Sequence, residues 1–148
     1  MNEIKKILVP VDFSENSQKI LQAAADFGAK FKAELAVVFV VQSFDDYSGF
    51  FVPHMPIIQL EGEMIKSAEE KMKSFVAETL TGPVPFTTAV LSGDVVEEIN
   101  RFAEEQKADL IVMGTHGYKG LDKILFGSVA EKVVKTAPCP VLTINPYR

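Results

Sequence analysis

Short, continuously apolar runs alternate with amphipathic helical patterns along this chain of 148 residues. The first run, Lys6 to Val11, and the second, Leu35 to Val41, are typical of strands buried on both faces. Between them Ser14 can cap a helix, whose apolar positions recur at three- and four-residue steps until about Phe31. This alternation predicts an α/β fold in which helices cover both faces of a parallel sheet.

The same alternation continues to the end of the sequence. Three further helices are predicted over Glu61 to Leu80, after Asp94 and after Ser128, the last two with a glutamate at capping-box spacing. Three further strands are predicted at Val84 to Leu91, Leu110 to Met113 and Val141 to Ile144. Pro85 favours a sheet-edge position for the first of these strands, because proline cannot donate a ladder hydrogen bond.

Residues 42–60 interrupt this rhythm with aspartates, a glycine and prolines among aromatic side chains, which predicts an irregular excursion. We interpret its aromatic cluster, Phe44 to Phe51, as packing on its own domain, with a lid over a ligand or a partner surface as alternatives. Met64 and Met72 in the helix that follows fall at helical spacing, and both are expected in the core.

Composition narrows the classes of function. Hydrophobic residues make up 47% and charged residues 24% of the chain, which predicts one folded domain over residues 1–148. The formal net charge of −5 and the dispersed lysines disfavour nucleic-acid binding. No apolar run approaches the ~20 residues that a bilayer requires, and the first residues do not resemble a secretory signal, so a cytoplasmic location is expected.

The segment Met113 to Ser128, M-G-T-H-G-Y-K-G-L-D-K-I-L-F-G-S, lies between a predicted strand and a predicted helix. Gly114 and Gly117 let the backbone approach a ligand closely, and Gly127 with Ser128 would present free amides at a helix N-terminus, where phosphate is stabilised. Two lysines of the loop can add positive charge, Lys119 and Lys123. The segment therefore suits a polyphosphate ligand, and Ser128 can both cap the helix and contact phosphate.

The spacing of this segment, Gly, two residues, Gly, nine residues, Gly and then Ser or Thr, resembles the ATP-binding branch of the universal stress proteins. Similar segments cover nearly the whole chain in the family's order: K-I-L-V-P-V-D-F-S, A-D-L-I-V-M-G-T-H-G, and G-S-V-A-E-K-V-V followed by C-P-V-L. The resemblance implies a Rossmann-like, open five-stranded sheet of order 3-2-1-4-5. It also implies a homodimer through the strand Val141 to Ile144.

The resemblance assigns the nucleoside part of a site residue by residue. Asp12 matches the acid that hydrogen-bonds the ribose, with Pro10 and Val11 beside the nucleoside. Val40 matches a position that helps to hold adenine, next to Phe39, where many relatives have His. The implied ligand is ATP, or ADP or AMP, with a Mg or Mn ion carried by its phosphates.

The remaining assigned positions follow the fourth strand. Those expected beside the base, ribose and phosphates are Met113, Gly114, Thr115, His116, Gly117 and Lys119. Those expected to close over the distal phosphates are Gly127, Ser128 and Val129. Open parallel sheets bind ligands where strand order reverses, and in the implied order this point lies between strands one and four, which Asp12 and Gly114 end.

Three functions remain open. The first is a regulatory module in which ATP occupancy alters a homodimer and its affinity for an unidentified protein partner, with at most slow hydrolysis. The second is an ATPase or phosphotransferase, although the chain has no G-x-x-x-x-G-K-[ST] loop and no Ser-His-Asp set, and His116 is expected to serve through its loop backbone. The third is a nucleotide-independent interaction module. A flavodoxin-like carrier is disfavoured, because the turn after strand one contains no glycine.

Overall fold

The computed structural model describes residues 3–42, 57–116 and 121–148. Within these ranges, five strands alternate with four helices. In chain order they are β1 (Lys6–Pro10), α1 (Glu15–Phe31), β2 (Glu34–Gln42), α2 (Ile57–Thr79), β3 (Phe86–Gly93), α3 (Val95–Glu105), β4 (Leu110–Gly114), α4 (Leu121–Thr136) and β5 (Val141–Ile144). None of these helices combines the length and apolar character that a bilayer crossing requires.

The strands form one sheet of order β3-β2-β1-β4-β5, and every neighbouring pair is parallel. The predicted α/β class, the open parallel sheet and its order are therefore confirmed. β3 lies at one edge, as Pro85 indicated, and β5 at the other.

The two central strands separate towards their carboxyl ends. β1 stays in register with β2 as far as Pro10, which lies opposite Val38. With β4, in contrast, β1 is in register at Ile7 and Leu8 alone among the described residues. The sheet therefore opens between β1 and β4 at the edge where a parallel sheet of this order can receive a ligand.

Two apolar layers hold the sheet. On one face, β1 and β2 contribute Ile7, Val9, Leu35 and Val37, which pack with side chains of α1 and α2. On the other face, Leu8, Ala36, Val38 and Ile111 pack with side chains of α3 and α4. Because successive strand residues point to opposite faces, a strand buried on both sides must be apolar throughout. Each fully buried Leu or Ile side chain contributes about 1.5–3 kcal/mol relative to an exposed one.

The predicted helix caps are observed for α1 and α3. The Ser14 side chain accepts a hydrogen bond from the Ser17 amide at 3.2 Å. The Asp94 side chain accepts one from the Glu97 amide at 3.1 Å. Each cap supplies a partner to an amide that has none within its helix.

Three expectations about the helices are wrong. α2 begins at Ile57, so the last residues of the predicted excursion are helical, while residues 43–56 with the aromatic cluster lie outside the described residues. α4 begins at Leu121, which places Ser128 inside the helix and not at its N-cap. The leucines and lysine before Gly127 favour helix, and one interior glycine costs only about 1 kcal/mol. Met72 is buried, but Met64 is 40% exposed.

Candidate functional site

A cavity of about 410 Å³ lies over the carboxyl ends of β1 and β2. Its size falls within the range of small-molecule sites. Apolar side chains from both helical layers form most of its walls. Four polar residues also line it: Asp12, Gln42, Ser67 and Lys71.

The structure brings part of the predicted site together around this cavity. The predicted residues that line it are Pro10, Val11, Asp12, Val40 and Val129. The predicted residues that are described but do not line it are Met113, Gly114, Thr115, His116 and Ser128. Gly117 and Lys119 lie outside the described residues, and of Gly127 only its place in α4 is described.

The position of Asp12 is fixed by the turn that leads from β1 into α1. Its Oδ1 accepts hydrogen bonds from the Ser14 amide at 3.0 Å, the Ser14 hydroxyl at 2.5 Å and the Ser17 hydroxyl at 2.6 Å. The Asp12 amide in turn donates to the Ser17 Oγ at 2.8 Å. The two serines therefore saturate one carboxyl oxygen and hold the side chain in place.

The second carboxyl oxygen, Oδ2, differs from the first. It is buried and has no hydrogen-bond partner among the described residues. A buried acceptor left without a donor costs about 1–3 kcal/mol. Because Asp12 lines the cavity, Oδ2 can be satisfied by a hydroxyl or amine donor of a ligand there.

Phe13 forms an aromatic wall beside Asp12. Its backbone is left-handed, with φ 67°, a conformation that costs a bulky residue of the order of 1–3 kcal/mol. Its ring stacks on Phe39 with the centroids 4.5 Å apart and meets the edge of Phe75 at 5.6 Å. These ring contacts offset the backbone strain, and both Phe13 and Phe39 line the cavity.

One wall of the cavity was not predicted from the sequence. It is a stripe along α2 formed by Met64, Ser67, Ala68 and Lys71. Their spacing of three, four and seven residues marks one helical face, and this is the signal that could have identified them. Met64 was assigned to the core from the same periodicity, which cannot show whether a helix face meets the sheet or a cavity above it.

The residues at the end of β4 are held by neighbouring elements. A Cβ at Gly114 would lie 3.1 Å from Ile20 Cγ1, so this glycine allows close packing against α1. The Thr115 amide donates to the Ile144 carbonyl at 3.0 Å, and the Thr115 Oγ1 lies 2.8 Å from His116 Nδ1. The His116 ring meets the edge of Tyr147 at 5.1 Å. These contacts of His116 include no carboxylate that would orient it as a general base.

Within the described ranges, no cluster of three His, Cys, Asp or Glu side chains is arranged to hold a metal ion. The cavity offers one carboxylate, one side-chain amide, one hydroxyl and one amine for hydrogen bonding, and among the described residues Asp12 Oδ2 has no donor. The apolar walls and this acceptor allow the cavity to take an organic ligand that carries a hydroxyl or amine donor.

Comparison with known proteins gives a consistent result. The model of the universal stress protein family matches residues 3–145. Universal stress protein MJ0531 of Methanocaldococcus jannaschii is 40% identical over 146 residues, covering 97% of this chain and 84% of that protein. A universal stress protein family structure from Burkholderia pseudomallei has a TM-score of 0.74 at 28% identity, covering 97% of this chain and 98% of that one.

A third similar structure is the universal stress protein from Archaeoglobus fulgidus in complex with dAMP. It has a TM-score of 0.66 at 24% identity and covers 97% of this chain and 100% of that one. At this identity the likeness shows the fold. Because the family model spans nearly the entire sequence, the chain belongs to the universal stress protein family.

Proposed function

We propose that this chain binds ATP, or ADP or AMP, in the cavity over β1 and β2, with Asp12 Oδ2 accepting a hydrogen bond from a ribose hydroxyl. The observation that carries the proposal is the buried Oδ2, which has no partner within residues 3–42, 57–116 and 121–148. A ribose presents two adjacent hydroxyl donors, and either one would relieve the cost of the unsatisfied acceptor. Because the two serines already donate to Oδ1, Oδ2 is the oxygen left to accept the hydrogen bond from the ribose.

The apolar part of the cavity supplies a place for the base. Val40 of β2 and Val129 of α4 line it, with Pro10 and Val11 along β1 and the turn after it. A planar base buried among such side chains gains from the removal of apolar surface from water. The structure of the Archaeoglobus fulgidus protein in complex with dAMP supports the proposal. In that structure a protein of this fold is in complex with an adenine nucleotide.

The phosphate part of the proposal rests on the family resemblance. Gly117 and Lys119 would contact the phosphates. Because the amides of Gly127 and Ser128 lie within α4, Gly127 would let the phosphates come close and Ser128 would contact them through its hydroxyl. Val129, the next residue, lines the cavity, which supports an approach of α4 to the ligand. A Mg or Mn ion would be held by the phosphates and would neutralise part of their charge.

The biological part of the proposal is a cytoplasmic regulatory module. Nucleotide occupancy would alter a homodimer paired through Val141–Ile144 and so its affinity for an unidentified protein partner. β5 is an edge strand of the sheet, and a two-fold pairing of such edges would cover its backbone groups. Hydrolysis would be slow at most, because the described contacts of His116 do not make it a base.

Isothermal titration calorimetry with Mg-ATP tests the proposal. We expect saturable binding of one nucleotide per chain, with ADP bound to a similar extent because it carries the same ribose. No heat at millimolar nucleotide would favour the nucleotide-independent interaction module. Turnover of several ATP molecules per second by the purified protein would favour the ATPase or phosphotransferase.

A further inference from the structure

Lys71 is the positively charged residue in the wall of the cavity, within the stripe along α2. Its side chain forms no ion pair or hydrogen bond within residues 3–42, 57–116 and 121–148. Asp12 Oδ2 lines the same cavity and has no partner within these ranges either. The cavity therefore presents a hydrogen-bond donor on α2 and an acceptor at the end of β1, and no described side chain uses either group.

The sequence around Lys71 differs from that around the other two lysines of α2, Lys66 and Lys73. Both of these have Glu69 and Glu70 three and four residues away, the spacing at which opposite charges pair along a helix. The four residues at the same distances from Lys71 carry no charge: Ser67, Ala68, Ser74 and Phe75. The helix therefore offers no carboxylate to Lys71, and its ammonium is available to a group in the cavity.

The course of α2 directs Lys71 towards the cavity. α2 connects β2 to β3, and because these strands are parallel neighbours, the helix must run from the carboxyl edge of the sheet back to the amino edge. Side chains on a helix tilt towards its N-terminus. The long side chain of Lys71 therefore extends towards the carboxyl edge, in agreement with its place in the cavity wall.

The aromatic wall of the cavity lies beside Lys71. Phe75, one turn further along the same face of α2, meets the edge of the Phe13 ring at 5.6 Å, and Phe13 stacks on Phe39 at 4.5 Å. Such rings favour a planar aromatic neighbour. α2 packs on β2 and β3, the side of β1 that faces away from β4. When the ribose of a nucleotide contacts Asp12, this aromatic wall can receive the base, next to Lys71.

We propose that Lys71 is a base-recognition residue, whose ammonium donates a hydrogen bond to a ring nitrogen of adenine. This inference rests on the proposed function. Three ring nitrogens of a bound adenine can accept, N1, N3 and N7, and an ammonium carries three donors and no acceptor. The nucleoside would then be held at two points, with its hydroxyl donor on Asp12 and its base acceptor on Lys71.

The first test measures adenosine and ATP binding by Lys71→Met. Methionine keeps an unbranched apolar side chain and removes the ammonium. Because Lys71 is exposed, the melting temperature should stay near that of the wild type. We expect the affinities for adenosine and ATP to fall by the same factor, about three- to tenfold. A contact with the phosphates would weaken ATP alone, so wild-type affinity for adenosine overturns the proposal.

Lys73→Met is the matched control. It makes the same change of charge two residues further along α2, and Lys73 does not line the cavity. We expect both affinities to stay within about twofold of the wild type, because an exposed charge away from the site contributes little. A loss equal to that of Lys71→Met would assign the effect to net charge and would overturn the proposal.

Three adenosine analogues locate the acceptor: 1-deaza-, 3-deaza- and 7-deazaadenosine each replace one ring nitrogen by CH. One of them should bind the wild type about three- to tenfold more weakly than adenosine does. Lys71→Met should bind that analogue and adenosine equally, because the two changes remove the same hydrogen bond. If no analogue shows a loss that disappears in Lys71→Met, the proposal is wrong.

The same titrations separate this inference from the proposed function. A wild type that binds neither adenosine nor ATP contradicts the proposed function and this inference with it. If the wild type binds both ligands and Asp12→Ala weakens both, the proposed function stands. Wild-type affinities in Lys71→Met would then overturn this inference alone.

Discussion

Two aspartates lie at opposite ends of the central strand pair, and their hydrogen bonding differs. Asp109, directly before β4, uses Oδ2 to accept the Lys5 amide at 2.9 Å and the Lys6 amide at 3.0 Å, at the start of β1. Asp12, two residues after β1, has Oδ1 saturated by two serines and Oδ2 buried without a partner among the described residues.

The difference shows how one strand pair serves both stability and binding. At its amino end, Asp109 ties β4 to β1 through backbone amides, and the strands are in register there. At the carboxyl end the strands separate, and the corresponding acid lies beside a cavity with one acceptor that no described residue uses. We expect substitutions of Asp109 to change the free energy of unfolding and substitutions of Asp12 to change nucleotide affinity.

The largest expected effect is that of Asp12→Ala on ligand binding. Loss of a hydrogen bond to a charged acceptor, about 1.5–3 kcal/mol, corresponds to a roughly 10- to 100-fold weaker affinity. ATP and ADP should be affected alike, because both carry the ribose. Calorimetry with each nucleotide measures this, and a loss confined to ATP would instead place Asp12 near the metal ion.

Ser17→Ala is the matched control for Asp12→Ala. It removes one donor from Asp12 Oδ1 and leaves Oδ2 in place. The melting temperature should fall, because the turn into α1 also loses the hydrogen bond from the Asp12 amide to Ser17 Oγ. The affinity for ATP should stay within about threefold of the wild type. A loss of affinity as large as that of Asp12→Ala would mean that Oδ2 is not the group that matters.

Asp109→Ala should have the second-largest effect, on stability. Two hydrogen bonds from backbone amides are lost, one of them exposed, and the free energy of unfolding should fall by about 1–2 kcal/mol. Urea denaturation measures this change. The affinity for ATP should not change, and a marked loss of affinity would contradict the division between the two ends of the sheet.

Cys139 gives a second readout for Asp109. Burial raises the pKa of its thiol, and the negative charge of Asp109 raises it further. The thiol therefore stays protonated at pH 8 and should react slowly with a thiol reagent, faster as the pH rises. Asp109→Ala should lower this pKa and modestly speed the reaction at a given pH, since burial is the larger cause. An unchanged rate would show that the Asp109 charge does not reach this end of the sheet.

The smallest expected effects are those of two glycines. Gly114→Ala places a Cβ 3.1 Å from Ile20, and the free energy of unfolding should fall by about 1 kcal/mol, with ATP affinity within about threefold of the wild type. Gly62→Ala in α2 meets no atom of the described residues within 4 Å and should stabilise the protein by about 0.5–1 kcal/mol. If Gly114→Ala lost ATP affinity without losing stability, Gly114 would instead serve to let the backbone approach the ligand closely, as the sequence predicted.

Much of the fold could be predicted from the sequence, because the features that define it are local. Continuous apolar runs mark buried strands, and the caps at Ser14 and Asp94 depend on residues three positions away. The predicted starts of α2 and α4 were wrong. In α4, Ser128 has the side chain of a capping residue, but the helix begins seven residues earlier. The helix-favouring leucines and lysine before Gly127 outweigh the cap signal of Ser128, so one capping residue does not set the boundary.

The parts of the site that a short sequence segment marks could be predicted, and the parts that depend on tertiary packing could not. The D-F-S turn and the family resemblance identified Asp12, and the structure places it at the cavity. The wall on α2 and the unpaired oxygen Oδ2 could not be read from one sequence, because they depend on which surfaces meet.

The central claim is that Asp12 Oδ2 accepts a hydrogen bond from a ribose hydroxyl. Titration with ATP and with 2′,3′-dideoxy-ATP tests this claim most directly. The wild type should bind ATP at least about tenfold more tightly than the dideoxy analogue, and Asp12→Ala should bind the two equally. Equal affinities in the wild type, or a preference for ATP that survives in Asp12→Ala, would contradict the account.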